Sequence, residues 1–187
     1  RRRGDRAPYP QAERAARRLW RQFRHFPAGT LVSLNAVAFG PENPQRADVA
    51  QVLARHHALM RSQSPAESCH VKTGDELIDA GGALFGLRSG GKLMAIGAMV
   101  ALEPAHFELK SMHVLAQARG KGLGRVLLEG MITQARADGV KRLSLETGSQ
   151  DEHAAARALY AGAGFTECPP FGDYVVDPLS IFMTRAL

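Results

Sequence analysis

The sequence predicts an α/β domain in which a mixed sheet carries helices on both faces. Segments with strand and helix patterns follow one another in the order β-α-α-β-β-β-α-β-α-β-β, which is typical of layered α/β folds. The chain has 187 residues, of which 45% are hydrophobic, and this suits one domain with its own core. A glycine-rich turn around Gly122 joins a strand to a helix, and it is the most distinctive stretch of the chain.

The first half of the folded region is predicted to contain one strand and two helices. The run 31–39 is apolar enough for a buried strand. The segment 47–60 is predicted to be a helix whose core face carries Val49, Val52, Leu53 and Leu59. The stretch 61–70 is polar and contains Pro65, so we expect a loop there, and 75–79 is expected to form a short second helix.

The second half is predicted to alternate strands with helices. Strands are expected over 83–87, 93–101, 107–114, 142–146, 165–167 and 180–185, and helices over 126–137 and 151–161. Ser89-Gly90-Gly91 favours a hairpin between the first two of these strands, because glycine tolerates positive φ. Asp138-Gly139 is expected to end the first of these helices with a left-handed cap.

Residues 1–28 differ in composition from the rest of the chain. Residues 1–26 contain nine arginines and only two acidic residues, whereas the remainder is close to neutral. From Gln11 onward, apolar residues recur at helical spacing between the arginines, which predicts a basic amphipathic helix. Such a helix could bind nucleic acid, an anionic membrane or a partner, or it could be an extension without a role of its own. We therefore divide the chain into an arginine-rich extension, 1–28, and a folded domain, 29–187.

Hydropathy and cysteine usage exclude several classes of protein. No apolar run approaches the roughly 18 residues that a membrane span needs. Cys69 and Cys168 lie far apart and have no metal-binding pattern nearby, so we predict neither a metal site nor a disulfide framework. His56, His57 and His70 also lack the accompanying ligands of a metal site. A reducing compartment, and hence a cytoplasmic location, is the simplest interpretation.

The glycine-rich turn has the properties of an anion-binding loop. Gly120, Gly122 and Gly124 occupy every second position, and without side chains they can expose a row of backbone N–H groups. The first turn of the following helix adds free N–H groups and a dipole that favours an anion. Positive charge is supplied by Arg119, Lys121 and Arg125. The segment is therefore predicted to bind a phosphate group.

Two familiar phosphate loops do not match this segment. A Walker A loop ends in Lys-Ser or Lys-Thr, and here Arg125-Val126 stands in that place. The dinucleotide fingerprint requires a third glycine at a spacing that falls on Arg125.

The motif that does fit is Gln117-x-x-Gly120-x-Gly122, which resembles the pyrophosphate loop of the GNAT superfamily of acyl-CoA N-acyltransferases. Residues 158–165, ALYAGAGF, are similar to the A-x-x-LY-x-x-x-GF signature of that superfamily. Two further stretches, LETG at 145–148 and PFGDYVVDPLS at 170–180, resemble a bacterial subgroup with LETG and PFGDY-x-x-DP-x-S motifs. The resemblance extends from Leu31 to the C-terminus. It implies the GNAT fold, a mixed, mostly antiparallel sheet of about seven strands flanked by helices.

The resemblance also implies an N-acetyltransferase that uses acetyl-CoA, or another acyl-CoA, as co-substrate and needs no metal. The positions that match cofactor-binding positions of the family are Met112, His113, Val114, Gln117, Arg119, Gly120, Lys121, Gly122, Leu123, Gly124, Arg125 and His153. His153 stands where the family commonly has an asparagine. Histidine can also donate a hydrogen bond, so this contact could persist in altered form.

Two residues are implied to be catalytic. Tyr160 matches the tyrosine that protonates the departing thiolate, a task that suits a phenol with a pKa of about 10. Glu108 lies where the family often places the base that deprotonates the acceptor, and Glu103 and Glu146 are competing carboxylates. A salt bridge with Lys110 is an equal alternative for Glu108.

Simple period-two alternation along the predicted strand 107–114 would divide its side chains between two faces. One face would carry Glu108, Lys110, Met112 and Val114, and the other Leu109, Ser111 and His113.

The polar loop near the C-terminus is expected to border the acceptor site. Its candidate acceptor-binding residues are Asp173, Tyr174 and Ser180, although a rigid proline-shaped loop is an equal alternative. We expect the acceptor to be the amine of a small molecule that attacks the thioester directly. The alternatives are a protein or peptide N-acetyltransferase, a non-catalytic acyl-CoA sensor on the same fold, and nucleic-acid or membrane binding through the N-terminal helix. Oligomeric state stays open, with a homodimer as one option.

Overall fold

A single eight-stranded mixed sheet dominates the computed structural model, which describes residues 30–31, 37–63 and 73–187. The predicted amphipathic helix, most of the predicted 61–70 loop and Cys69 lie outside these described residues. The strands are β1 Thr30–Leu31, β2 Val37–Pro41, β3 Ala83–Ser89, β4 Lys92–Glu103, β5 His106–Val114, β6 Arg142–Gly148, β7 Thr166–Glu167 and β8 Ser180–Ala186. Their spatial order is β1-β2-β3-β4-β5-β6-β8-β7.

Helices connect and cover this sheet. They are α1 Ala47–Gln63, α2 Gly74–Asp79, α3 Leu123–Ala137 and α4 Ala154–Gly162, with short 3-10 segments at Ala116–Ala118 and Asp151–His153. The predicted element order and the mixed sheet flanked by helices are confirmed. One predicted strand is wrong in detail, because Leu31 pairs antiparallel with Ala38 and the run 31–39 therefore cannot be one continuous strand. Helix α3 also begins at Leu123, three residues before the predicted start.

Two hydrophobic layers lie on opposite faces of the sheet. On one face, α3 buries Leu127, Leu128 and Met131 against the central strands. On the other face, α1 buries Val49, Val52 and Leu53 in a second cluster. The prediction that Leu59 belongs to this buried face is wrong, because Leu59 is 36% exposed. The next buried position along the helix after Leu53 is His56, one helical turn later.

An ionic cluster fixes the start of α1 against the neighbouring hairpin. The Arg88 guanidinium on β3 donates to both carboxylate oxygens of Glu42, at 2.6 and 2.8 Å, and to Asp48 of α1 at 2.7 Å. Because Glu42 and Arg88 are both largely buried, this bidentate pair fixes the segment before α1 to β3, and the contact with Asp48 links the start of α1 to it.

β5 and β6 form the parallel pair of the sheet among the described strands. Their register runs from His106 opposite Arg142 to Leu109 opposite Leu145 and ends there. Beyond this point β5 continues along β4 as far as Val114, whereas β6 continues along β8 as far as Gly148. The two strands therefore separate in the middle of the sheet and leave a wedge-shaped opening between them.

A β-bulge interrupts β5 where it leaves β6. Ile96 of β4 lies opposite His113 and Ala98 lies opposite Lys110, so Gly97 faces two residues, Ser111 and Met112. Ser111 adopts a left-handed conformation with φ of 52°, which is uncommon for a residue with a side chain. A Cβ atom on Gly97 would lie 2.7 Å from the sulfurs of Met112 and Met131, so a larger residue there would displace these side chains.

The bulge changes which side chains share a face of the sheet. Met112 and Val114 pack against the α3 layer that contains Leu109, whereas His113 contacts His56 on the α1 face. The simple alternation predicted from the sequence is therefore wrong beyond Lys110. The extra residue in the strand reverses the side-chain alternation at that point.

No helix among the described residues is long and apolar enough to cross a membrane.

Candidate active site

A cleft of about 470 Å³ occupies the opening between β5 and β6. Its walls come from both strands, the second half of α1 and the first part of α4. Gly124 and Arg119 lie at the end of the cleft formed by the glycine-rich loop, and Leu59 and Met60 line it from α1. The cleft thus connects the predicted phosphate loop with the face of the sheet that carries α1.

The glycine-rich loop has the backbone conformation that anion binding requires. Gly120 and Gly122 have φ of 73° and 72°, and Gly122 is the N-cap of α3. A Cβ atom at either position would meet nothing within 4 Å. Glycine is therefore favoured here by the positive φ and not by lack of space. The N–H of Arg125 donates to the Gly122 carbonyl at 3.1 Å, whereas the N–H groups of Leu123 and Gly124 precede the first acceptor of the helix and are available to an anion.

The charged residues of this loop lie at the surface. Lys121 and Arg125 are exposed, and Arg125 pairs loosely with Glu129 at 3.7 Å. Arg119 is also exposed and donates from Nε to the carbonyl of Val114 at 3.2 Å, so it links the loop to the end of β5.

The remaining predicted cofactor positions divide into two groups. Met112, His113 and Val114 are half-buried and line the cleft. Gln117 is exposed on the 3-10 segment, and the Leu123 side chain is buried in the core, so only its backbone can meet a ligand.

His153 also lines the cleft, at the start of α4. Its ring lies directly against the backbone of Gly148, where a Cβ atom would collide with it. Arg157 donates to the carbonyls of Gly148 and Gln150, at 2.7 and 2.8 Å, and so closes the turn between β6 and α4. A glycine at the end of β6 is therefore what allows His153 to approach the cleft.

Tyr160 lies on α4 and faces the cleft from the core side. It is 6% exposed, and its ring packs edge-on against Phe165 with 6.0 Å between the ring centroids. Burial, together with the Glu146 carboxylate, raises the pKa of Tyr160 above its ordinary value. The phenol therefore stays protonated at neutral pH and can act as a proton donor.

Glu108 belongs to a buried cluster that joins β5 to the C-terminal loop. The Tyr174 hydroxyl donates to Glu108 Oε1 at 2.5 Å, and Lys110 Nζ donates to the same oxygen at 2.8 Å. Lys110 Nζ also donates to the Tyr174 hydroxyl at 2.6 Å. The predicted salt bridge between Glu108 and Lys110 is thus present. Burial and the Glu108 carboxylate raise the pKa of Tyr174, so this hydroxyl also stays protonated.

The other acceptor-site candidates lie in different surroundings. Ser180 is buried at the start of β8, and its hydroxyl donates to Glu146 Oε1 at 2.7 Å. Asp173 is exposed, next to Gly172, which has a positive φ of 58°. Tyr174 and Ser180 therefore donate hydrogen bonds to Glu108 and Glu146, two carboxylates that line the cleft. Asp173 lies on the outer surface of the loop.

Two histidines in the cleft were not among the predicted catalytic or acceptor-binding residues. The rings of His56 and His113 lie 4.9 Å apart between centroids and are tilted by 44°. Burial, followed by the nearby His113 and His57, lowers the pKa of His56 to about 4. The signal in the sequence was the spacing of Val52, Leu53 and His56, which places His56 on the buried face of α1.

The described residues contain no group of three or more side chains that could hold a metal ion.

We expect His56 to make the stability of the protein depend on pH. In the unfolded chain His56 binds a proton near pH 6.5, whereas in the folded protein it stays neutral down to about pH 4. The unfolded state therefore binds more protons in this window, and the free energy of unfolding should fall by up to about 3 kcal/mol as pH drops through it. Urea unfolding at a series of pH values measures this loss. The loss should be smaller by about 3 kcal/mol in His56→Leu and nearly unchanged in His57→Leu. Equal pH profiles in wild type and His56→Leu would contradict the assignment.

Comparison with known proteins agrees with this geometry. A model of the Acetyltransferase (GNAT) family matches residues 50–165. The Uncharacterized N-acetyltransferase YsnE of Bacillus subtilis is 37% identical over 74% of this chain and 92% of its own length. The IAA acetyltransferase of Azospirillum brasilense is 36% identical over 81% of this chain and 98% of its own length.

Solved structures show the same fold. A protein from Klebsiella pneumoniae assigned as an acyl-CoA N-acyltransferase is 29% identical, with a TM-score of 0.65 over 81% of this chain and 97% of its own. The acetyltransferase yncA of Salmonella typhimurium, solved with acetyl-CoA, has a TM-score of 0.60 at 21% identity over 81% of this chain and 94% of its own. The glycine-rich loop, the separated strands and Tyr160 thus occur in a fold known to hold that molecule. The chain belongs to the GNAT family and is an N-acetyltransferase that uses acetyl-CoA.

Proposed function

We propose that the protein transfers the acetyl group of acetyl-CoA to the amine of a small molecule by direct attack. The observation that supports this most strongly is the continuity of the cleft. It runs from the glycine-rich loop, past Tyr160, to the carboxylates Glu108 and Glu146. A donor bound at one end and an acceptor at the other would meet between β5 and β6.

The residues at the loop end suit a pyrophosphate. Free N–H groups at the start of α3 would receive the phosphate oxygens, and the exposed Arg119, Lys121 and Arg125 would add positive charge. The end of β5 lacks a partner strand on the side of β6, so its backbone groups are available to the amide groups of the pantetheine arm. Acetyl-CoA supplies an activated thioester when it is bound there.

Two side chains would handle the protons of the reaction. An amine with a pKa near 10.4 is mostly protonated at neutral pH, and only its neutral form attacks. Glu108 would accept the proton that the ammonium loses, directly or through water. Tyr160 would donate its phenolic proton to the sulfur as the carbon–sulfur bond breaks and the carbon–nitrogen bond forms. Orientation of the two reactants in the cleft would supply much of the remaining rate.

Two observations favour a small-molecule acceptor and a catalytic role. The relative from Azospirillum brasilense is named for the acetylation of IAA, which is consistent with a small-molecule acceptor in this branch of the family. A buried, protonated Tyr160 in the cleft also favours catalysis over a purely sensory role.

A matched series of primary amines tests the proposal. The series comprises ethanolamine, glycinamide, glycine and propylamine, extended by aromatic amines and by a short peptide with a free N-terminus. We expect acetyl-CoA-dependent release of free thiol, with mass spectrometry showing an acetylated amine among the small molecules. Turnover of the peptide alone would favour protein acetylation. Acetyl-CoA binding without turnover of any amine would favour the sensor.

Replacing Tyr160 with phenylalanine should remove the proton donor and little else. With the best acceptor of the series, kcat should fall by about 10² to 10³, because proton transfer by a positioned acid contributes rates of this order. The KM for acetyl-CoA should change by less than about twofold, since the ring still fills the same space. Phe165→Leu, on the ring that packs against Tyr160, serves as a packing control. If kcat is unchanged in Tyr160→Phe, the tyrosine is not the acid.

Replacing Glu108 should identify the base. Glu108→Gln alone would leave Lys110 buried without its partner, so the double variant Glu108→Gln/Lys110→Met is the cleaner test. We expect kcat to fall by about 10² or more at neutral pH and to recover partly as pH rises, because more acceptor is then already neutral. Glu103→Gln, on an exposed carboxylate, is the matched control. A large loss in Glu146→Gln with little loss in the double variant would transfer the role to Glu146.

A further inference from the structure

Two buried polar atoms at the cleft have no hydrogen-bond partner in the part of the chain that the structure describes. They are Nδ1 of His56 and Oγ of Ser111, and both residues line the cleft. A buried polar group without a partner costs about 1 to 3 kcal/mol, so such groups are rare and call for an explanation. Both residues are close to His113, which lies two residues after Ser111 in the chain and contacts the ring of His56.

His56 occupies a position where packing alone would favour an aliphatic residue. It is 7% exposed, and it follows Val52 and Leu53 on the buried face of α1. A leucine at this position would bury a similar volume without an unpaired nitrogen. The imidazole is therefore unfavourable for folding, and this points to a role in binding.

Ser111 combines strain with an unpaired hydroxyl. Its φ of 52° places it in the left-handed region, in the bulge at the point where β5 leaves β6. Glycine would adopt this positive φ with less backbone strain than the serine that occupies the position. Both His56 and Ser111 thus retain, at a cost in stability, a buried polar atom in the wall of the cleft.

The charges in the cleft limit what these groups can bind. Among the described residues that line it, the cations are Lys110 and Arg119, and the acids are Glu108, Glu146 and Glu152. Lys110 is held between Glu108 and Tyr174, and Arg119 lies at the loop end. The α1 end of the cleft therefore favours an ammonium and offers no unoccupied cation for a carboxylate. His56 is neutral, so it presents one nitrogen donor and one nitrogen acceptor.

We propose that His56 and Ser111 form a recognition subsite for an uncharged hydrogen-bonding group of the amine acceptor. The group would be a hydroxyl or a carboxamide, each of which can donate and accept. The amine of the same molecule would lie toward the carboxylates of the cleft. This inference rests on the proposed acetylation of a small-molecule amine, and it names the class of acceptor: amino alcohols and amino amides are preferred over amino acids and alkylamines.

The test compares ethanolamine and glycinamide with propylamine and glycine at saturating acetyl-CoA. In wild type we expect kcat/KM to be at least about tenfold higher for the first pair, because one hydrogen bond to an otherwise unpaired buried group is worth about that factor. In His56→Leu this preference over propylamine should disappear, mainly through a higher KM for ethanolamine and glycinamide. Ser111→Ala should reduce it in part. His57→Leu, one residue away and half-buried, should keep it.

A second measurement separates recognition from structure. Urea unfolding at pH 7 should show His56→Leu to be as stable as wild type or more stable, and His56→Gln should restore part of the preference by returning a hydrogen-bonding group. Equal loss on propylamine and ethanolamine in His56→Leu would indicate a merely structural role and overturn the inference. So would an unchanged preference, which would mean that a buried water satisfies the histidine. Turnover confined to amines without a hydroxyl or carboxamide overturns the inference but keeps the proposed function. Absence of any amine turnover overturns the proposed function itself.

Discussion

The site depends on one constraint, the separation of β5 and β6 after four paired residues. A parallel pair in the centre of a sheet normally stays bonded along its length, since unpaired backbone groups in a protein interior are costly. Here β5 follows β4 and β6 follows β8, so each strand is satisfied on its outer side and open on the inner side beyond Leu109 and Leu145. The opening exposes backbone donors and acceptors at the level where α3 begins. The cleft lies in this opening, and the two side chains proposed to handle the protons, Glu108 and Tyr160, line it.

The bulge at Ser111 and Met112 adapts the strand to this opening. It reverses the side-chain alternation, so the strand presents Met112 to the α3 layer and His113 to α1. Without the extra residue, His113 would point into the hydrophobic layer and Met112 toward the polar face. The bulge at one serine thereby places His113 on the α1 side of the sheet and Met112 on the α3 side.

Local features of the sequence predicted most of the architecture, whereas contacts between residues far apart in the chain could not be predicted from it. The loop around Gly122 and the order of the elements follow from residues that are neighbours in the chain, so they could be assigned without the structure. The reversal at Ser111 could not, because a bulge depends on the register with Gly97 of another strand. The cluster of Glu108 with Tyr174 was equally hidden, since 66 residues separate its members. The burial of His56 was readable from helical spacing, but its unpaired nitrogen was not.

The hydrogen bond from Tyr174 to Glu108 also bears on how acceptor specificity can change in this family. The C-terminal loop contributes Leu179 to the wall of the cleft, and loops beside a binding cleft commonly determine what an enzyme accepts. In this protein the loop cannot be exchanged independently, because the hydroxyl of Tyr174 hydrogen-bonds to both members of the buried ion pair, Glu108 and Lys110, on β5. A transplanted loop without that hydroxyl would leave Glu108 and Lys110 short of a partner in the interior. The exposed Val175 and Val176 next to this tyrosine can therefore change more freely than the tyrosine itself, whose hydroxyl is fixed by the buried pair.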